Sequence, residues 1–110
     1  MPRRPRGVRF RYIAFCVDPA ASRAAVAEAV RSSCERIPGP VSPSLIVYRD
    51  GGGLVRCGHI QKDSVIAALN GIVRVGHGAG VVRTLGTSGT IRKATEKFLS
   101  RGTDTRPTRL

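Results

Sequence analysis

The sequence predicts an α+β sandwich of the split β-α-β kind, a four-stranded antiparallel sheet in the order β-α-β-β-α-β with a further helix at the C-terminus. Three observations predict it. Runs rich in β-branched and aromatic residues alternate with stretches whose apolar residues recur at helical spacing. The turn Asp50-Gly51-Gly52-Gly53 joins the two middle strands directly as a hairpin. Capping residues (Ser22, then Asp63 or Ser64) stand at the start of the two internal helical stretches.

Val8 to Val17 is dense in β-formers and reads as the first strand, which Asp18-Pro19 ends. Ser22 caps a helix over 23–36, with Val26, Ala29, Val30 and Cys34 as its apolar stripe and Arg23, Glu28, Arg31 and Glu35 facing out. Pro38-Gly39-Pro40 breaks that helix, and Ser42-Pro43 prolongs the loop. Leu45–Tyr48 and Leu54–Cys57 are short strands on either side of the glycine-rich turn, where glycine supplies positive φ angles. Asp63 or Ser64 caps a second helix reaching about Val75, with Val65, Leu69, Ile72 and Val73 inward. Within it, Asn70-Gly71 fits either close helix packing or a weak helix. Gly76-His77-Gly78-Ala79-Gly80 reads as a flexible connector to a strand over 81–86. A last helix over 90–101 puts Ile91, Ala94, Phe98 and Leu99 on one side and Arg92, Lys93, Glu96, Lys97 and Arg101 on the other.

This order is ferredoxin-like and RNA-recognition-motif-like, with both internal helices on one sheet face. Several strands carry apolar residues in both phases, such as Ile13 and Phe15 against Tyr12, Ala14 and Cys16. The second face therefore needs a cover: the third helix, a partner protein or RNA. Residues 1–7 read as a disordered Pro/Arg arm, 8–101 as a single domain, and 102–110 as a flexible tail with Arg106 and Arg109.

A chain of 110 residues, 41% hydrophobic, suits one domain with a modest core. No apolar run approaches the roughly 18–20 residues of a membrane span. The basic N-terminus lacks the apolar stretch of a signal peptide, so a cytoplasmic protein with no membrane partner is expected. Cys16, Cys34 and Cys57 are far apart and form no Cys-x-x-Cys pair, which reads as three small buried hydrophobes rather than a metal site. Charge constrains more. Nineteen Lys and Arg against seven Asp and Glu leave +12, and 16 of the 19 cations are Arg. That balance predicts a polyanionic partner.

Catalytic chemistry is not predicted on this chain. His59 and His77 have no Cys, Ser or carboxylate partner by spacing, and the glycines of 76–80 follow a helix, the wrong context for a nucleotide fingerprint. His77 reads as a solvated residue or a phosphate contact. Binding chemistry is better supported. Gly86-Thr87-Ser88-Gly89-Thr90-Ile91-Arg92-Lys93-Ala94 reads as a small-residue turn from a strand into a helix N-terminus. Unpaired N–H groups at such a terminus attract phosphate, and two cations in the first turn make sense beside an anion. The same stretch also serves as an ordinary capped turn, with Gly89 at positive φ and Ser88 or Thr90 as cap. The basic arm, running on through Arg9 and Arg11, could track a phosphate backbone. The candidate RNA-binding residues are Arg9, Arg11, Arg56, Arg83, Ser88, Thr90, Arg92, Lys93 and Lys97. Tyr12 and Phe15 point to opposite faces, so at most one is available for base stacking, and core packing is the favoured reading of both.

Three segments in order resemble the archaeal ribonuclease P protein component 2 family, the counterpart of the eukaryotic Pop-five subunit. They are Arg11-Tyr12-Ile13-Ala14-Phe15, Gly53-Leu54-Val55-Arg56-Cys57, and the specific one, Val82 to Ala94 with Gly-Thr-Ser-Gly-Thr-Ile-Arg-Lys-Ala. The resemblance spans about residues 9–101; the Pro/Arg arm and the glycine-heavy hairpin depart from the common pattern. It implies a subunit of the ribonucleoprotein endoribonuclease that removes 5′ leaders from precursor tRNA. In that enzyme the RNA, with bound magnesium, performs the hydrolysis, and the protein itself holds no cofactor. The implied partners are the ribonuclease P RNA and protein component 3, a barrel-type subunit, in a hetero-oligomer with precursor tRNA as substrate. The alternative is a free-standing RNA-binding or ribosomal-type protein of the same fold, which calls for exposed aromatics on the middle strands.

Overall fold

Side chains alternate across a strand, so β1 (Phe10–Asp18) serves two layers at once. Ile13, Phe15 and Val17 enter a core against α1 (Arg23–Cys34) and α2 (Lys62–Asn70), while Ala14 enters a separate cluster on the opposite face. The computed structural model describes residues 9–39 and 41–100, so the arm 1–7, Arg101 and the tail 102–110 lie outside the described residues. With β2 (Ser44–Arg49), β3 (Gly52–Gly58) and β6 (Val81–Ser88), β1 forms an antiparallel sheet in the order β2-β3-β1-β6. This is the predicted split β-α-β architecture.

At the hairpin, Arg49 pairs with Gly52, which leaves Asp50 and Gly51 as the turn. Their φ angles of 53° and 82° are both positive, the geometry whose twist matches the flanking strands. Ser22 caps α1 as expected, its hydroxyl accepting from Ala25 N at 3.1 Å. The helix stops at Cys34 rather than 36, where Ile37 N bonds back to the Cys34 carbonyl at 3.1 Å. Tyr48 ties β2 to this cap region: its hydroxyl donates to Ala21 O at 2.6 Å and accepts from Ala21 N at 3.2 Å.

The second helix differs from the expectation at both ends. A 3₁₀ turn, His59–Gln61, runs straight into α2, so neither Asp63 nor Ser64 is its cap. Gln61, 4% exposed, organises this corner by accepting from Gly58 N at 2.8 Å and donating to Pro38 O at 3.1 Å. The helix ends at Asn70, five residues before Val75, with Gly71 N bonded back to Ala67 O and Ala68 O. Ile72 stays buried, but Val73 is 73% exposed and not an inner residue. β4 (Arg74–Val75) and β5 (Gly78–Ala79) then pair around Gly76, so the expected flexible connector is mostly a small ribbon. Ile72 and Val75 are both buried at helical spacing although only Val75 is in the ribbon, which is why periodicity overran the helix. Asn70 marks close packing: its Oδ1 accepts from Thr84 N at 3.1 Å and its Nδ2 donates to Thr84 Oγ1 at 3.0 Å on β6.

The cover of the second sheet face is the C-terminal helix. α3 (Ile91–Ala94) passes into a π-helical turn, Thr95–Ser100, and Ala94, Phe98 and Leu99 pack on Ala14 and Leu54 with Tyr12 and Val47. A regular helix over 90–101 was expected; the wider π turn shifts the stripe and leaves Ile91 40% exposed. β6 also runs two residues further than expected, so Thr87 and Ser88 are strand, paired with Ile13 and Tyr12. Gly86 lies directly beneath Phe98, and a β-carbon there would collide with the ring. Gly86→Ala is therefore expected to cost about 1–3 kcal/mol and lower the melting midpoint by about 5–15 °C. Gly89→Ala, whose β-carbon would stand 3.7 Å from its nearest neighbour, is the control and should melt close to the unchanged protein.

Candidate nucleic-acid interface

The register of the sheet decides which cations meet. Tyr12 pairs with Arg56 on one side and Ser88 on the other, a rung across the sheet at the end remote from the hairpin. With strands about 4.8 Å apart, Arg56 and Ser88 stand roughly 10 Å from each other. Arg11 occupies the next position: its Nη1 donates to Phe10 O at 3.1 Å and lies 3.7 Å from where a β-carbon of Gly89 would be. Arg9 is at the same end, its carbonyl accepting from His59 N at 2.6 Å. Thr90 is the N-cap of α3, and its hydroxyl accepts from Lys93 N at 3.1 Å. Arg9, Arg11, Arg56, Ser88, Thr90, Arg92 and Lys93 thus share one end of the molecule.

Arg83 and Lys97 do not join them. Arg83 pairs with Cys16 towards the other end of β6, and Lys97 projects from the π turn with its Nζ 5.7 Å over the Phe98 ring. Arg92 is at the cluster but not unopposed. Its Nε donates to Glu96 at 3.3 Å, with side chains 88% and 65% exposed, a solvated pair that contributes little to stability yet offsets one charge.

The turn expected to attract phosphate departs from that expectation. Gly89 does not adopt positive φ, and α3 is a single α-helical turn, too short for a strong dipole. Thr90 is the cap; Ser88 Oγ reaches Thr90 N only at 3.5 Å. What favours an anion here is the gathered side-chain charge. Phe15 is fully buried in the helix-side core, and Tyr12 is half-buried beside α3, so neither offers an open stacking face.

One feature of the site was missed from the sequence. The Arg56 guanidinium lies over the Phe10 ring, its Cζ 4.9 Å from the ring centroid. Phe10 pairs with Gly58, two residues beyond Arg56 on β3, so Arg56 stands diagonal to the ring on the same sheet face. The relation, an aromatic opposite a glycine with an Arg diagonal to it, exists only once the register of β1 on β3 is fixed.

Elsewhere, a cleft of about 740 Å³ opens between the hairpin and the π turn, lined in part by Cys16, Val47, Leu85, Phe98 and Leu99. Cys16 is therefore half-buried on this face, unlike the buried Cys34 and Cys57, whose thiols burial pushes up to about 11. Among the described residues, no three His, Cys, Asp or Glu side chains gather where a metal could be held, and no helix is long and apolar enough to cross a membrane. His59 and His77 are both exposed.

Fold and site together define a basic split β-α-β domain with most of its candidate cations at one sheet end. The chain belongs to the Rpp14/Pop5 family, which it matches over residues 11–99. It is 32% identical over 96 residues to ribonuclease P protein component 2 of Methanosarcina mazei, covering 81% of this chain and 83% of that one. The protein of the same name from Methanosarcina acetivorans is 33% identical over 96 residues, covering 81% of this chain and 73% of its own. Among solved structures, a chain of yeast ribonuclease MRP superposes with a TM-score of 0.61 at 14% identity, covering 74% of this chain and 75% of that one, which establishes the shared fold.

Proposed function

We propose that this protein is a subunit of ribonuclease P, binding and stabilising the RNA that cleaves the 5′ leader from precursor tRNA. The observation that carries the proposal is that the family-matched segment itself brings Arg11, Arg56 and Lys93 to one end of the sheet. Cations so placed neutralise backbone phosphates and hold RNA helices in register. The reacting groups and the magnesium belong to the RNA, and this chain contributes positioning rather than proton transfer. A barrel-type protein, component 3, is the proposed partner in the complex. The free-standing RNA-binding alternative needs exposed stacking aromatics, and the structure buries Phe15 and half-buries Tyr12.

Reconstituting precursor-tRNA cleavage from ribonuclease P RNA and its protein subunits tests the proposal. Omitting this chain is expected to lower cleavage at physiological magnesium, with partial recovery as magnesium is raised. Unchanged cleavage at every magnesium concentration would refute it.

A further inference from the structure

Arg56 differs from Arg9, Arg11, Arg92 and Lys93 in resting on an aromatic ring. Its guanidinium rests on the Phe10 ring at 4.9 Å, a cation–π contact that fixes the plane of the head group. Its Nε is buried without an acceptor among the described residues, an arrangement that desolvates one side of the charge. Nε alone of its nitrogens is buried without a partner, and the Nη1/Nη2 fork is open to an acceptor beyond the described residues. By contrast, Arg9, Arg92 and Lys93 are exposed. A mobile Arg and a mobile Lys serve alike as charges, but an immobilised guanidinium in partly desolvated surroundings is selective for two acceptors at fixed spacing.

We infer that Arg56, seated on Phe10, is the residue that sets where RNA docks on this domain, by taking a pair of acceptors on one nucleotide with its Nη fork. Two sources carry that chemistry in RNA: the two non-bridging oxygens of a phosphate, and O6 and N7 of a guanine. The surrounding cations supply attraction that tolerates sliding, and Arg56 supplies the register. This rests on the RNA-binding function proposed above and adds a division of labour within it.

The test uses the full chain and ribonuclease P RNA, with binding measured across a salt series. Arg56→Lys keeps the charge and loses the fork; Phe10→Leu keeps an apolar side chain and loses the platform. Each is expected to weaken binding roughly 5- to 100-fold with the salt slope unchanged, because no phosphate charge neutralisation is lost. Arg23→Lys, an exposed cation on α1, is the control and should bind as the unchanged chain does. Transcripts doped with 7-deazaguanosine or with phosphorothioates separate the two sources. A position whose modification interferes with the unchanged chain but no longer with Arg56→Lys identifies the contacted nucleotide, and the interfering analogue identifies base or phosphate. RNA bound at undiminished strength by both variants, or identical interference maps, would overturn this inference alone. Absence of any RNA binding by the unchanged chain would overturn the proposed function with it.

Discussion

Phe15→Ala is expected to remove about 3–5 kcal/mol of stability, much of what a domain of this size possesses. Phe15 is fully buried at the middle of the central strand β1, paired with Gly53 of β3 on one side and Thr84 of β6 on the other. It packs beneath α1 and α2 with Val26, Val30, Val65 and Leu69. Gly53 has no side chain to fill the space the ring leaves, and a sheet neighbour cannot collapse inward as a loop can. A melting midpoint lower by about 15–30 °C should follow, read by circular dichroism. Tyr12→Ala, on the other face and only half-buried, should cost less than Phe15→Ala; the reverse order would contradict the assignment of the main core to the helix side.

The second large effect concerns charge. Replacing Arg9, Arg11 and Lys93 together by Ala is expected to reduce RNA affinity at least tenfold and lower the slope of log K against log salt by about two to three. Glu96→Gln should act in the opposite direction, because it frees Arg92 from its only described ion pair. Filter binding at several salt concentrations distinguishes these from a folding defect, which would lower affinity without a matching change in slope. A triple variant with the slope of the unchanged protein would show that these cations face a protein or solvent.

The parts of this molecule legible in the sequence are those written in local pattern. The hairpin signal of Asp50-Gly51-Gly52-Gly53 (whose last two glycines open β3), the Ser22 cap and the dual-phase apolar strand β1 all lead directly to the observed architecture. The second helix is shorter than its pattern because Ile72 and Val75 obey helical spacing although the chain has left the helix at Asn70 and Val75 belongs to a β-ribbon, a tertiary decision that local period does not carry. The last helix reads as regular because nothing local announces a π turn, and the seating of Phe98 over Gly86 within it is a contact between distant segments. In the site, composition pointed to a polyanion and the signature segment to the turn, but which cations meet depends on strand register. Register brings Arg11 and Arg56 to the end where Lys93 sits and separates Arg83 from them. The Arg56–Phe10 stack is a diagonal relation between strands 46 residues apart, and so invisible along the chain.

The Asn70 contact has a consequence for how such a subunit survives before assembly. β6 is an outer strand, and one of its outward N–H groups, that of Thr84, would otherwise be a template for another strand. The Asn70 carboxamide answers that N–H and the Thr84 hydroxyl together, imitating from a helix end the pattern an incoming backbone would offer. A basic protein synthesised before it meets its RNA spends that interval at risk of pairing with copies of itself. One amide at the end of α2 shields part of that edge during the wait, through a side-chain contact made within the fold itself.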